Sequence, residues 1–183
     1  MCMKKMWMLL LVSLISVQGV AMQAPTYSNP VEYAAGSGAN TAYIALDFNG
    51  SSVFVFQYQW DGQATAWDAL QAIDAAGALE MSYMDYGWGV WVYDFGYPGG
   101  VEMDYGSANT GWAYFISDNN FEWNLSMVGV QGRMLTDGSW DSWVWTDYPA
   151  DWSMPNRQPG QIAVPEPLTL ALLGIGVVWM RRK

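Results

Sequence analysis

The sequence predicts an α+β fold, in which one amphipathic helix packs on a mostly antiparallel β-sheet, flanked by a signal peptide and a C-terminal hydrophobic helix. Three observations support this prediction. A hairpin pattern is followed by one helical pattern, several β-branched and aromatic runs follow the helix, and a short apolar segment lies near each end. The 183 residues suffice for one ordinary domain and are too few for two. We therefore expect one β-rich domain between the terminal segments.

Residues 41–60 have the clearest pattern in the chain. Two β-branched and aromatic runs, 41–48 and 52–60, are joined across Asn49-Gly50, the strongest short hairpin pattern. A β-hairpin is therefore predicted here. Residues 22–40 before it are polar and small, and are expected to form a polar lead to the domain.

One helical pattern follows the hairpin, over residues 65–77. It is rich in helix formers, and Thr65 and Asp68 have the spacing of a capping box. Further strands are predicted after it over residues 79–84, 88–95, 112–117, 125–131 and 140–146. The predicted β-rich domain spans 41–150, and residues 151–163, with their prolines and glycine, predict a linker.

The first 21 residues have the three parts of a secretory signal peptide. Lys4 and Lys5 form a basic start, and residues 8–17 are an apolar run shorter than the roughly 20 residues of a membrane span. Gly19 and Ala21 give the small-x-small pattern of a cleavage position after Ala21. The Sec translocon and signal peptidase are therefore expected partners, and the alternative is a retained N-terminal anchor.

Composition excludes several classes of function. Cys2 is the only cysteine and leaves with the signal peptide, and the chain has no histidine. Ser-His-Asp triads, Cys-His nucleophiles and ordinary zinc sites are thereby excluded. Residues 22–163 contain sixteen acidic residues and two basic ones, Arg133 and Arg157, which gives a net charge of −14. Such a surface repels phosphates, so we expect no nucleic-acid partner.

The C-terminal end has three consecutive parts. Pro165-Glu166-Pro167 is incompatible with a helix, residues 168–180 are an uncharged apolar run, and Arg181-Arg182-Lys183 is a basic stop-transfer end. As a helix, the apolar run would measure about 20 Å against a hydrocarbon core of about 30 Å. We therefore expect a short or temporary transmembrane segment, with a buried core helix as the alternative.

In this order and at this end of the chain, these parts resemble the PEP-CTERM sorting signal of Gram-negative bacteria that make extracellular polysaccharide. The resemblance covers residues 164–183. It implies that an exosortase-type enzyme recognises Pro165, Glu166 and Pro167 and processes the protein. It further implies export through the inner membrane, transient anchoring by the C-terminus, and a final location at the cell surface or in the extracellular matrix.

The middle of the chain has a second resemblance. Residues 111–116, Gly-Trp-Ala-Tyr-Phe-Ile, and 134–140, Met-Leu-Thr-Asp-Gly-Ser-Trp, combine with the order of predicted elements. Together they resemble β-grasp modules related to the cobalamin-carrier C-terminal domain. This resemblance implies a binding module, and no ligand or contacting residue is carried over from it.

Aromatic content favours a binding or structural role. Twelve tryptophans and eleven tyrosines exceed what one core needs, so some are expected on the surface. Aromatic faces beside carboxylates suit sugar rings, which stack their C–H faces and donate hydroxyl hydrogens. We therefore expect a non-catalytic protein that contacts exopolysaccharide, or a structural matrix protein without a ligand. The competing interpretation of each aromatic is a place in the core or a cross-strand ladder.

Two further hypotheses rest on carboxylates. A glycan-active enzyme would need a carboxylate pair, for which the candidates are Asp85, Asp94, Asp104 and Glu122. A calcium site would use the oxygen-rich turn with Asp118, Asn120 and Glu122, although the full EF-hand pattern is missing. Neither pattern selects catalytic or metal-binding residues, and no cofactor is expected.

Overall fold

The computed structural model describes residues 24–100 and 109–160, which contain eight strands and one helix. In chain order these are β1 (Val31–Gly36), β2 (Asn40–Asp47), β3 (Val53–Trp60), α1 (Ala66–Ala76), β4 (Glu80–Asp85), β5 (Val90–Gly96), β6 (Thr110–Ser117), β7 (Asn124–Leu125) and β8 (Trp140–Asp147). The predicted α+β class is confirmed. The predicted signal peptide and sorting signal, including Ala21, Pro165 and Arg181, lie outside the described residues. Within the described ranges, no helix is long and apolar enough to cross a membrane.

Six strands form one mixed sheet in the order β1-β3-β2-β8-β6-β7, and β4 and β5 form a separate antiparallel ribbon. The predicted hairpin is present as β2 and β3, which pair antiparallel. Strand β8 lies between β2, to which it is parallel, and β6, to which it is antiparallel. Strand β1 pairs in parallel with β3 and was not predicted, because it lies within residues 22–40 that were expected to be a polar lead. A parallel partner that comes later in the chain leaves no local sequence pattern.

Helix α1 begins at the predicted capping box. The Thr65 hydroxyl oxygen accepts from Asp68 N at 3.2 Å, and an Asp68 carboxylate oxygen accepts from Thr65 N at 2.8 Å. At the other end, the Tyr33 hydroxyl donates to Ile73 O at 2.9 Å, and a Cβ at Gly77 would lie 2.2 Å from the Tyr33 ring. The helix buries Ala66, Ala69, Leu70 and Ile73 against one face of the sheet.

The β4–β5 ribbon covers the same face of the sheet. Val92 and Phe95 point inward, and the Phe95 ring meets Trp112 and Trp143 edge to face at centroid distances of 5.3 and 5.5 Å. The pairing skips Tyr93, so β5 carries a bulge at that residue. Trp91 and Tyr93 therefore face solvent while Phe95 is buried.

The predicted strand over residues 125–131 is wrong except at its start, because only Asn124–Leu125 pairs with β6. The following residues turn at Gly129, whose carbonyl accepts from Gly132 N at 2.9 Å. The carbonyls of Val130 and Arg133 accept from Trp67 N and Ala66 N, at 3.1 and 2.9 Å. This segment satisfies unpaired donors at the start of α1 instead of extending the sheet.

The opposite face of the sheet is covered by the two ends of the described chain. Tyr27 packs edge to face on Trp123, and its hydroxyl donates to a buried Asp47 carboxylate oxygen at 3.0 Å. Arg157, 6% exposed, donates to the other Asp47 oxygen at 2.6 Å. Gly160 N also donates to Asp47, at 3.2 Å. Residues 151–160, expected to be linker, have no regular secondary structure but pack on the domain through these contacts.

Candidate functional site

Exposed aromatic side chains are concentrated on the β4–β5 ribbon and the turn that joins its strands. Trp88 is 86% exposed and Trp91 59% exposed. Tyr83, Tyr86 and Tyr93 on the same ribbon are also exposed. A concentration of large apolar side chains in water is characteristic of an interaction surface, whereas scattered ones are ordinary.

A cavity of about 620 Å³ opens beside these rings, between the ribbon turn and the loop after β7. We call it the Trp88 cleft. It is lined by Tyr86, Trp88, Gly89, Val90, Trp91, Val128, Gly129, Gln131 and Gly132. Its volume falls within the range of about 300–1,000 Å³ that small-molecule sites occupy.

The first wall of the cleft is a tight turn between β4 and β5. An Asp85 carboxylate oxygen accepts from Gly87 N at 2.7 Å, and Tyr86 N donates to Gly89 O at 3.0 Å. Gly87 has φ +78°, a left-handed conformation that favours glycine. The Tyr86 and Trp88 rings stack at 5.5 Å with 19° between their planes. Tyr86 thus supports one face of the Trp88 ring and leaves the other face open to solvent.

The second wall is the loop over residues 128–132, which α1 holds in place. The hydrogen bond from Trp67 N to the carbonyl of buried Val130 fixes the centre of this loop. The Trp67 ring also packs edge to face on Tyr83 of β4, at a centroid distance of 4.8 Å. Trp67 therefore contacts both the loop of the second wall and the strand that leads into the first wall.

None of the described residues that line the cleft carries a charged side chain. Its polar groups are the Gln131 amide, the Tyr86 hydroxyl, the indole N–H groups and the backbone. These groups can donate and accept hydrogen bonds beside apolar ring faces. This combination suits a ligand that has both C–H faces and hydroxyls.

Both basic side chains of the described residues are engaged inside the domain. Arg157 pairs with Asp47, as described above. Arg133 Nε lies 3.3 Å from Asp141 Oδ1, and Arg133 Nη2 lies 3.7 Å from Asp118 Oδ1. The Tyr114 hydroxyl donates to the second Asp141 oxygen. Burial raises the pKa of Asp141 above its usual value, against the opposing effects of Tyr114 and Arg133.

Of the carboxylates considered for catalysis, Asp85, Asp94 and Glu122 are described by the structure and do not line the cleft. Asp85 is exposed at the end of β4 and holds the ribbon turn, and an Asp94 oxygen accepts from Phe95 N at 2.8 Å. Along the ribbon, Asp94 lies opposite Ser82 while Asp85 lies opposite Val90, so three ladder positions separate them. Glu122 lies in the loop after β6, and Asp104 is outside the described residues.

Of the residues considered for calcium, Asn120 holds the N-terminal segment, whereas Asp118 and Glu122 make other contacts. Asn120 is buried, and its amide donates to Tyr27 O at 2.7 Å and accepts from Tyr27 N at 3.2 Å. Asp118 pairs with Arg133, and Glu122 N donates to the Asn119 side chain. No group of three or more potential acidic or cysteine ligands is assembled within 24–100 and 109–160.

The contribution of the loop after β7 was missed at the sequence level. Val128, Gly129 and Gln131 fall in the strand predicted over residues 125–131, and the short Gly129–Gly132 spacing was the one available indication of a turn. Searches of family models, curated proteins and solved structures return no match to this chain.

Proposed function

We propose that the domain is a non-catalytic binding module that contacts polysaccharide through the Trp88 cleft. The observation that carries the proposal is the open face of Trp88, 86% exposed, beside Trp91 and the Gln131 amide. Exposing two indoles is unfavourable unless a ligand covers them, and stacking on sugar C–H faces is a common use of such rings.

The topology supports a β-grasp-like architecture for this module. A hairpin, β2 and β3, is followed by helix α1 and then by β6 and β8. The last strand, β8, lies parallel to the first hairpin strand at the centre of the sheet. This agrees with the resemblance noted for residues 111–116 and 134–140.

We further propose that the protein reaches the cell surface or extracellular matrix as a PEP-CTERM substrate of an exosortase-type enzyme. The order of the triplet, apolar run and basic end over residues 164–183 supports this. Mass spectrometry of the protein isolated from its host tests it. A C-terminus near Pro165 and an N-terminus near residue 22 are expected, whereas a chain intact to Lys183 in the extracellular fraction would contradict it.

Binding is tested by affinity electrophoresis of the exported protein in gels that contain the host's own extracellular polysaccharide. Wild-type protein should be retarded, and Trp88→Ala should remove most of the retardation. Trp152→Ala is the matched control, because Trp152 is 54% exposed but lies outside the cleft. Unretarded wild-type protein, or equal losses in both variants, would contradict the proposal.

A further inference from the structure

We infer that the Trp88 cleft selects uncharged polysaccharides and discriminates against those that carry uronic acids or other anionic groups. This inference rests on the proposed function and specifies its ligand. Among the residues that the structure describes, the cleft lining has no arginine or lysine to pair with an anion. An anionic substituent that enters a cleft without a cationic partner loses hydration and gains no ion pair.

No basic side chain of the described domain is available to move toward the cleft. Arg133 is held by Asp141 and Asp118, and its side chain is 13% exposed. Arg157 is held by Asp47, and its side chain is 7% exposed. Releasing either arginine would leave a fully buried carboxylate, Asp141 or Asp47, without its ion pair.

The negative charge around the cleft also disfavours anionic ligands. Asp85 is exposed directly before Tyr86 of the lining, and residues 22–163 carry a net charge of −14. Screening at physiological salt acts over about 8 Å, so a nearby carboxylate still repels an anionic ligand at the rim. A neutral ligand meets no such repulsion and can offer its hydroxyl groups to acceptors around the cleft.

The stacking surface indicates the kind of sugar ring. The Trp88 ring offers one flat face to solvent, because Tyr86 stacks on the other. A pyranose covers such a face when its C–H groups project from one side and its hydroxyls lie around the ring edge. The expected ligand is therefore a neutral chain of hexopyranoses with mainly equatorial hydroxyls.

The test compares neutral and uronic-acid polysaccharides by affinity electrophoresis of the exported protein. Hydroxyethylcellulose and a galactomannan represent the neutral class, and alginate and polygalacturonate the anionic class, each at low and at 0.5 M salt. We expect retardation by at least one neutral polymer, at least tenfold weaker retardation by the polyuronates, and loss of the neutral signal in Trp88→Ala but not in Trp152→Ala.

A gain-of-function variant provides an independent readout. Gln131→Lys places a cation in the cleft lining and should confer polyuronate retardation that disappears at 0.5 M salt. Wild-type binding to polyuronates alone, dependent on Trp88, would overturn this inference and leave the proposed function standing. Binding to neither class, with Trp88-dependent self-association or adsorption to phosphatidylcholine vesicles, would overturn both.

Discussion

Replacing Arg157 with methionine should destabilise the domain strongly, because it leaves the carboxylate of Asp47 buried without its ion pair. Arg157 Nη1 donates to Asp47 Oδ1 at 2.6 Å, and Nη2 donates to the Asp47 and Trp145 carbonyls at 2.7 and 2.8 Å. Asp47 is fully buried. Methionine keeps most of the aliphatic stem, so the loss is mainly electrostatic and hydrogen-bonding.

The expected cost follows from this geometry. Breaking a buried pair by removing one partner costs about 3–5 kcal/mol. The Asp47 carboxylate keeps its hydrogen bonds from Tyr27, Gly50 N and Gly160 N, which favours the lower end of that range. A loss of about 3 kcal/mol is a large part of the 5–15 kcal/mol that stabilises typical domains.

Urea unfolding followed by tryptophan fluorescence measures the effect. Arg133→Met is the matched control, because its contacts to Asp141 and Asp118 are longer, at 3.3 and 3.7 Å, and its loss should be smaller. The double variant Asp47→Asn with Arg157→Met removes the stranded charge and should recover part of the loss. A cost below about 1 kcal/mol for Arg157→Met, or no recovery in the double variant, would refute the reasoning.

Three further predictions concern pH, the start of α1 and its end. Burial and the Asp47 charge raise the pKa of Tyr27 far above its ordinary value, so stability present below about pH 10 is lost above it by about 1.4 kcal/mol per pH unit. Tyr27→Phe should lower the alkaline slope in urea titrations between pH 10 and 11.5, while Tyr114, whose pKa burial also raises, maintains part of it. An unchanged slope would contradict the assignment. Thr65→Ala should cost about 1 kcal/mol in the same assay at neutral pH, because the Asp68 amide loses its cap, and a change within error would contradict the capping role. Gly77→Ala should cost about 1–3 kcal/mol, because the new Cβ would lie 2.2 Å from the Tyr33 ring. That loss should shrink in a Tyr33→Ala background, and equal losses in the two backgrounds would point to another cause.

The elements predicted correctly are those whose determinants are local. The hairpin follows from Asn49-Gly50 between two apolar runs, and α1 follows from the spacing of Thr65 and Asp68. Strand β1 depends on pairing with β3, whose partner residues come 23 or 24 positions later in the chain. The exposure of its side chains does not alternate regularly. No local pattern could therefore distinguish it from a polar lead.

The candidate site was predictable in kind but not in position. The sequence has more aromatic residues than one core needs, but it does not show which of them are exposed. Trp91 and Tyr93 face solvent while Phe95 is buried because a bulge at Tyr93 shifts the alternation of the strand. The second wall depends on residues 128–132, whose apolar character resembles a strand. Residues 128–132 form a turn whose neighbouring carbonyls accept hydrogen bonds from the first amides of α1. The hydrophobic periodicity of the sequence does not reveal this tertiary contact.

The ion pairs of Arg133 and Arg157 also affect how readily trypsin-like proteases cleave the folded protein. Between residues 22 and 163 there is no lysine, so trypsin-like proteases have only the two bonds after these arginines to attack. Both guanidinium groups are held in ion pairs with buried carboxylates and are unavailable to a protease specificity pocket. The folded domain should therefore persist among extracellular proteases of this specificity. After denaturation it should yield few and long tryptic fragments, among them residues 134–157.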